Sequence, residues 1–151
     1  MRWAAIALVA VAALAGCGGS GGDEPQNGLR SADGLMIRDW LRSVEHGDYG
    51  RAATFFAPGA IIDQGRPIRL PNAAAARFFN KTLPCFADLI ALRDEGSSKV
   101  LATFRLRPGP GGPCDGRVKV RYTIEDGKFT EWRQLPTPRE EPDPTVTGPT
   151  V

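Results

Sequence analysis

The chain has 151 residues, and its 19 Lys and Arg against 17 Asp and Glu give a formal net charge of +2 at pH 7. A charge this close to zero produces no overall field that would attract nucleic acid, so we expect no nucleic-acid partner. The length leaves room for one domain with a substantial core. Because His46 is the single histidine, a closed tetrahedral zinc site would lack ligands, and we expect neither a metal nor another cofactor.

The N-terminus has the pattern of an export signal. Arg2 supplies a positive charge, and the thirteen residues 3–15 form an apolar run. This run is shorter than the roughly 20 residues of a membrane-spanning helix and suits the core of a signal peptide. It ends in Leu14-Ala15-Gly16-Cys17, which resembles the bacterial lipobox.

The lipobox resemblance implies that residues 1–16 are a lipoprotein signal peptide and that the Cys17 thiol receives a diacylglycerol. The mature protein would then be anchored in the cell membrane on its extracytoplasmic side, because buried acyl chains hold a protein on a membrane. The alternative is an ordinary signal peptide in which Cys17 is incidental.

Two polar segments flank the expected domain. Residues 17–28 are rich in Gly and have almost nothing to bury, which predicts a flexible tether. Residues 137–151 are rich in Pro and Thr, which predicts a disordered tail. The folded domain is therefore expected over residues 29–136.

The first elements of the domain have helical spacing. An apolar stripe predicts a helix that ends at Gly47, with His46 at its C-terminus, where a cation is favourable. Asp48 is placed to cap a second helix, which carries Phe56 inward and stops at Pro58-Gly59. The stripe of the first helix comprises Met36, Ile37, Trp40, Leu41 and Val44.

A short strand, a turn and a third helix follow. Residues 60–63 predict the strand and residues 64–67 the turn. Asn72 is placed to cap the helix over residues 73–80, which presents Phe78 or Phe79 inward.

The second half of the domain predicts strands. Apolar and polar residues alternate, and Asp126-Gly127 is a strong signal for a two-residue hairpin turn. Helices followed by an antiparallel meander predict an α+β fold with helices on one face of the sheet. The predicted strands cover residues 86–94, 99–107, 117–125 and 128–135.

Cys85 and Cys114 remain once Cys17 is assigned to the lipid. Outside the cytoplasm such a pair is more typical of a disulfide than of a metal site. In a meander, the starts of the first and third strands lie at the same end, so a bridge would fix the Pro- and Gly-rich loop 108–116. A redox role is the alternative, although no C-x-x-C pattern is present.

Two segments carry a resemblance to a known family. Residues 38–57, with the Gly47-Asp48 break and the Phe-Phe-Ala ending, and residues 127–135 are similar to the opening and the last strand of nuclear transport factor 2-like (NTF2-like, SnoaL-like) domains. The resemblance implies a cone in which a curved antiparallel sheet packs on about three N-terminal helices around a pocket, and it implies that copies often pair as dimers.

The resemblance also locates a catalytic set that this sequence does not match. In members similar to ketosteroid isomerase, a Tyr on the first helix and an Asp after the second helix carry the chemistry. These positions are occupied by Trp40 and Gln64, with Asp63 one residue earlier. Gln cannot act as a base at useful pH, and a one-residue slip along a strand turns Asp63 to the other face.

Several residues are candidates for a site, each with a structural alternative. Asp63 is the best single acid for a pocket, where it would act as a base or contact a ligand. The structural alternative is a solvated carboxylate at the end of a strand. A second group of residues, most of them aromatic, could line an apolar pocket. The structural alternative is that they only fill the core. This group comprises Trp40, Phe56, Asp63, Gln64, Phe78, Tyr122 and Trp132.

The outward positions of two predicted strands are basic. Such a face could contact anionic headgroups or envelope polymers. The structural alternative is a solvated face that keeps the sheet soluble. The residues are Arg105, Arg107, Arg117, Lys119 and Arg121.

We expect a membrane-anchored extracytoplasmic lipoprotein whose domain binds a small apolar ligand or a protein partner without catalysis. One alternative is an envelope enzyme, an isomerase or hydrolase that uses Asp63 in the cone. Another is a structural module that pairs with a second copy through the sheet face. The fold alone does not choose among these, because it hosts many functions.

Overall fold

The computed structural model describes residues 28–136. The predicted signal peptide, Cys17 and the tail over 137–151 lie outside the described residues. Gly28, one residue before the predicted domain boundary, packs so closely on β-strand residue Leu92 that a Cβ at this position would overlap the Leu92 carbonyl oxygen. Between residues 28 and 136, no helix is long and apolar enough to cross a membrane.

The first two helices, α1 (Ala32–Glu45) and α2 (Tyr49–Ala53), are set by their caps. The Ser31 hydroxyl accepts a hydrogen bond from Gly34 N at 3.1 Å, and the Asp48 carboxylate accepts one from Arg51 N at 3.0 Å. Between them Gly47 has φ +72°, the left-handed conformation that ends helices. His46 caps the C-terminus of α1 as predicted.

Strand β1 (Phe56–Asp63) begins four residues before the predicted strand. The second helix was expected to reach Phe56, but it ends at Ala53 because Phe56 instead pairs with Phe129 across the sheet. The register shifts between Phe56 and Ile61, and Gly59 there has φ +82°, as at a β-bulge. Strand β2 (Pro67–Leu70), which was not predicted, returns antiparallel to β1.

Helix α3 (Ala73–Thr82) starts at the predicted cap, where the Asn72 side chain accepts a hydrogen bond from Ala75 N at 3.0 Å. The four strands that follow match the predicted meander within two residues at each end. They are β3 (Phe86–Gly96), β4 (Lys99–Arg107), β5 (Arg117–Glu125) and β6 (Lys128–Leu135).

The six strands form one curved sheet in the order β2-β1-β6-β5-β4-β3. The meander is antiparallel, but β1 joins β6 in parallel, which the antiparallel prediction did not include. The helices pack on one face of the sheet, as an α+β fold requires. Edge-to-face aromatic pairs join the layers, including Trp40 on Phe129 and Phe79 on Trp132.

The predicted disulfide is confirmed. Cys85 and Cys114 are bonded, with Cα atoms 5.8 Å apart. The loop after β4 packs tightly on the segment before β3, since Gly111 N donates to the Pro84 carbonyl at 2.8 Å and a Cβ on Gly111 would lie 2.5 Å from Pro84 Cβ. The bridge therefore fixes a loop whose close approach depends on glycine.

Candidate ligand-binding pocket

A pocket of about 200 Å³ opens between α1 and the inner face of the sheet. The C-terminal half of α1 forms one wall, the inner residues of β4, β5 and β6 form the other, and the segment before β3 lies at the rim. Most of the lining is apolar. The lining residues are Trp40, Leu41, Val44, Glu45, Gln64, Leu83, Pro84, Cys85, Phe86, Ala87, Phe104, Leu106, Val118, Val120, Tyr122, Trp132 and Gln134.

Two aromatic side chains form the floor of this pocket. Tyr122 and Trp132 are cross-strand partners on β5 and β6, and their rings meet edge to face with centroids 6.5 Å apart. Tyr122 is 0% exposed and Trp132 6% exposed. Since directly opposed residues of an antiparallel pair point to the same face, both side chains project from the sheet toward the helices.

Both polar atoms at this floor lack a hydrogen-bond partner. The Tyr122 hydroxyl and the Trp132 indole N–H are buried, and no group between residues 28 and 136 completes a hydrogen bond with either. Burial raises the pKa of the Tyr122 hydroxyl far above its ordinary value, and the neighbouring Trp132 N–H opposes this shift only in part. Tyr122 is therefore neutral at any physiological pH, and it keeps its proton as a donor.

A third aromatic residue of the pocket has a partner of its own. The Trp40 indole N–H donates to Asn80 Oδ1 at 2.7 Å, and Asn80 Nδ2 donates to the Ala76 carbonyl at 2.7 Å. Asn80 is 1% exposed. These bonds tie α1 to α3 and satisfy the only donor of the Trp40 side chain. Tyr122 and Trp132 differ from Trp40 because their polar atoms have no such partner among the described residues.

An ion-pair network stands at the rim. Arg107 Nη2 lies 3.0 Å from the Glu45 carboxylate, and Arg107 Nε lies 2.9 Å from the Asp88 carboxylate. The hydrogen bond that Arg107 donates to Glu45, helped by the charge of Asp88, raises the pKa of the Arg107 guanidinium. The Glu45 carboxylate is thus paired with Arg107 where it lines the pocket, and the pocket lining contains no Lys or Arg.

The structure divides the predicted pocket residues. Trp40, Gln64, Tyr122 and Trp132 line the pocket. Phe56 does not, because it lies in the core between Phe79 and Phe129.

The assignment of Phe78 to the pocket was wrong, since this side chain is 69% exposed. The helix turns Phe79 inward instead, in line with the buried Ala76 and Asn80 at helical spacing. Phe78 was therefore one position off the buried stripe.

Asp63 was also placed wrongly in the cone. It is absent from the pocket lining, its Oδ1 accepts from Gly65 N at 3.0 Å, and its Oδ2 lies 3.8 Å from Arg133 Nε. The parity of β1 explains this position, since the buried Ala60 and Ile62 face the core and Asp63 faces the other way.

The outer face of the sheet is mixed in charge rather than basic. Arg121 pairs with Glu95 at 2.5 Å, and Arg105 lies 3.7 Å from Asp88. Arg107 is directed to the pocket rim, as described above. Acidic residues on β3 thus offset much of the positive charge that the alternation of β4 and β5 predicted; Arg117 and Lys119 have no ion-pair partner among the described residues.

Three features of the site were missed in the sequence. Glu45 lies outside the predicted apolar stripe of the first helix, and Gln134 was not considered, yet both line the pocket. Asn80 was treated as a helix end. A polar residue four positions after the buried Ala76, on the same stripe as Phe79, is the signal that could have marked it as a buried group in need of partners.

The fold has counterparts among solved structures. An NTF2-like protein of unknown function from Cytophaga hutchinsonii superposes with a TM-score of 0.55 at 8% identity, over 66% of this chain and 85% of that one. A protein from Sphaerobacter thermophilus superposes with a TM-score of 0.52 at 20% identity, over 68% and 94%. A candidate polyketide cyclase from Sinorhizobium meliloti gives 0.54 at 18% identity, over 67% and 94%.

These similarities concern the fold, because each identity is too low to carry function across. No family model matches the sequence, and no curated protein does. The element order, the six-stranded sheet and the helical layer nevertheless agree with these structures. The domain described here has an NTF2-like fold.

Proposed function

We propose that the protein is a lipid-anchored extracytoplasmic lipoprotein whose NTF2-like domain binds a small, largely apolar ligand without catalysing a reaction. The apolar pocket between α1 and the inner face of the sheet is the observation that supports ligand binding. An apolar protein cavity of about 150 Å³ binds benzene, so about 200 Å³ with an apolar wall accommodates a ligand of one ring with a short substituent.

The chemistry of the lining favours binding over catalysis. A general base must lie within hydrogen-bond reach of the proton that it removes. Asp63 is outside the pocket, Glu45 is held by Arg107, and the Tyr122 hydroxyl keeps its proton. The alternative of an isomerase or hydrolase that uses Asp63 therefore loses its proposed base.

Anchoring rests on the sequence and on the disulfide. The positive start, the short apolar run and the lipobox-like Leu14-Ala15-Gly16-Cys17 support processing at Cys17. The Cys85–Cys114 bridge supports an oxidising compartment, because disulfides persist outside the cytoplasm.

Binding is tested with α-methylstyrene, an apolar molecule of suitable size. Besides Trp3, the chain has two tryptophans, Trp40 and Trp132, and both line the pocket. Titration of the mature protein should therefore shift both indole N–H resonances in ¹⁵N–¹H NMR spectra. Failure of the wild-type protein to bind would contradict the proposed ligand class.

A filled pocket provides the matched comparison. Ala87 of β3 lines the pocket, whereas Ala91 of the same strand does not. Both are half-buried. We expect Ala87→Phe to abolish binding and Ala91→Phe to retain it, and equal binding by the two variants would locate the ligand elsewhere.

The anchor is tested in cells. Cys17→Ser should leave the protein at its unprocessed mass and without an added diacylglycerol, while Gly19→Ser, which keeps the thiol, should give the wild-type mass apart from the substitution. Equal masses of the wild-type and Cys17→Ser proteins from the membrane, apart from the one-atom substitution, would disprove lipidation at this residue.

A further inference from the structure

Two glutamine side chains lie at the rim of the pocket. Gln64 is in the turn that follows β1, Gln134 is near the end of β6, and both line the pocket. Each comes one residue after a member of the Asp63 and Arg133 pair, whose Cα atoms are partners where the two strands run in parallel. The two amides therefore follow adjacent strands to the same end of the cavity.

The two amides are not used within the described part of the protein. Between residues 28 and 136, neither has a hydrogen-bond partner, although the polar side chains beside them do. Asp63 Oδ1 accepts from Gly65 N at 3.0 Å, and Arg133 Nη2 donates to Glu131 at 2.6 Å. Because Gln64 is exposed and Gln134 half-buried, a ligand in the pocket can reach both amides.

The other polar side chains of the lining are occupied or enclosed. The Glu45 carboxylate is paired with Arg107, and the Trp40 indole N–H has an acceptor of its own. The polar atoms of Tyr122 and Trp132 are buried beneath the surface of the cavity. The free hydrogen-bonding groups are thus at the rim, while the depth of the pocket is apolar. A ligand that matches this polarity enters with its apolar end and leaves its polar end beside the two glutamines.

The chemistry of the amides indicates which polar end fits. A glutamine side chain presents a carbonyl acceptor and an NH₂ donor in one plane. A primary carboxamide presents the same two groups, so it can donate to the glutamine carbonyl and accept from the glutamine NH₂ at once. A carboxylate offers acceptors only, and no Lys or Arg in the lining supplies the charge-assisted bonds that favour it.

We infer that the pocket takes an amphiphilic ligand whose apolar end fills the cavity and whose outer end is a neutral primary carboxamide, bound at the rim by Gln64 and Gln134. This inference rests on the proposed function and adds the polar group that the ligand carries. A few placed polar groups generally give an apolar pocket its orientation and specificity, and the two amides do so here.

Two probes of the same shape separate this specificity from binding in general. Benzamide differs from α-methylstyrene by an oxygen in place of the methylene group and an NH₂ in place of the methyl group. Because the two probes differ in hydration, the quantity to compare among proteins is the ratio of their affinities. We expect the wild-type protein to bind benzamide, and to bind it more tightly than benzoate.

The variants assign the two amides. Gln64→Met and Gln134→Met keep the length of the side chain and remove its amide. Each should lower the ratio of the benzamide affinity to the α-methylstyrene affinity by about two- to twelve-fold, the equivalent of one net hydrogen bond. Thr103→Val is the control, since it removes a polar group of β4 that does not line the pocket, and it should keep the wild-type ratio. Binding of α-methylstyrene shows that the pocket of each variant is folded.

The outcomes distinguish the inference from the proposed function. An unchanged ratio in both glutamine variants would overturn the inference and leave apolar binding intact. Tighter binding of benzoate than of benzamide by the wild-type protein would do the same, as would binding of α-methylstyrene without benzamide. Binding of neither benzamide nor α-methylstyrene would overturn both the inference and the proposed ligand class.

Discussion

The disulfide at the pocket rim gives the prediction with the most directly calculable magnitude. Cys85 and Cys114 are separated by 29 residues. In the chain-entropy model a closed loop of this length lowers the entropy of the unfolded chain by about 12 cal/mol/K, which corresponds to about 3.6 kcal/mol at 25 °C. Replacing both cysteines with alanine should decrease the free energy of unfolding by about 3–4 kcal/mol.

Urea denaturation of the mature protein measures this difference. Because about 1 kcal/mol shifts the melting temperature of a domain of 60–100 residues by about 4–8 °C, thermal unfolding should show a decrease of more than 10 °C, on the order of 15–30 °C by that scaling. The wild-type protein in a reducing agent is the control, since it loses the same bond without a change of side chain.

The result also reports on the loop. Gly111 N donates to the Pro84 carbonyl, so part of the loop has a contact of its own besides the bridge. A loss of less than about 1 kcal/mol, with both forms folded, would refute the entropic reasoning. Such a result would mean that local contacts already order the segment in the unfolded chain. The other explanation would be that the bridge strains the native structure.

Three further changes test other contacts. Asn80→Leu leaves the buried Trp40 indole N–H without its acceptor, so the free energy of unfolding should fall by about 1–3 kcal/mol; a loss under about 0.5 kcal/mol in urea denaturation would refute this role. The hydrogen bond from Arg121 lowers the pKa of Glu95, so this carboxylate stabilises the fold above its unfolded-state pKa of about 4.3 and loses that contribution as pH falls through the lower folded-state value. Glu95→Gln should therefore melt below the wild type at pH 7 and approach it in acid, and a constant gap from pH 7 to pH 3 would contradict the ion pair. Gly111→Ala would place a Cβ 2.5 Å from Pro84 Cβ, and thermal melting should show a clear loss of stability.

The strands and helices were predictable where one local signal governed the backbone. Alternation over β4 and β5 and the Asp126-Gly127 turn before β6 gave strand bounds that agree with the structure. Strand β1 was less accessible, because Pro58-Gly59 resembles a helix stop and a turn. Its extended conformation depends on pairing with Phe129 of β6, more than 60 residues later in the sequence, and no local pattern encodes such a partner.

The site was predictable to the extent that parity determines which way a side chain points. The sequence grouped Tyr122 and Trp132 as candidates for lining an apolar pocket, and parity warned that Asp63 would face outward. It could not indicate that Trp40 finds an acceptor in Asn80 while Trp132 finds none, because that difference arises from how α1 and α3 pack over the sheet. Two aromatic residues with equal claims from the sequence thus have separate roles: Trp40 joins α1 to α3 through Asn80, and Trp132 packs its ring against Tyr122 and Phe79.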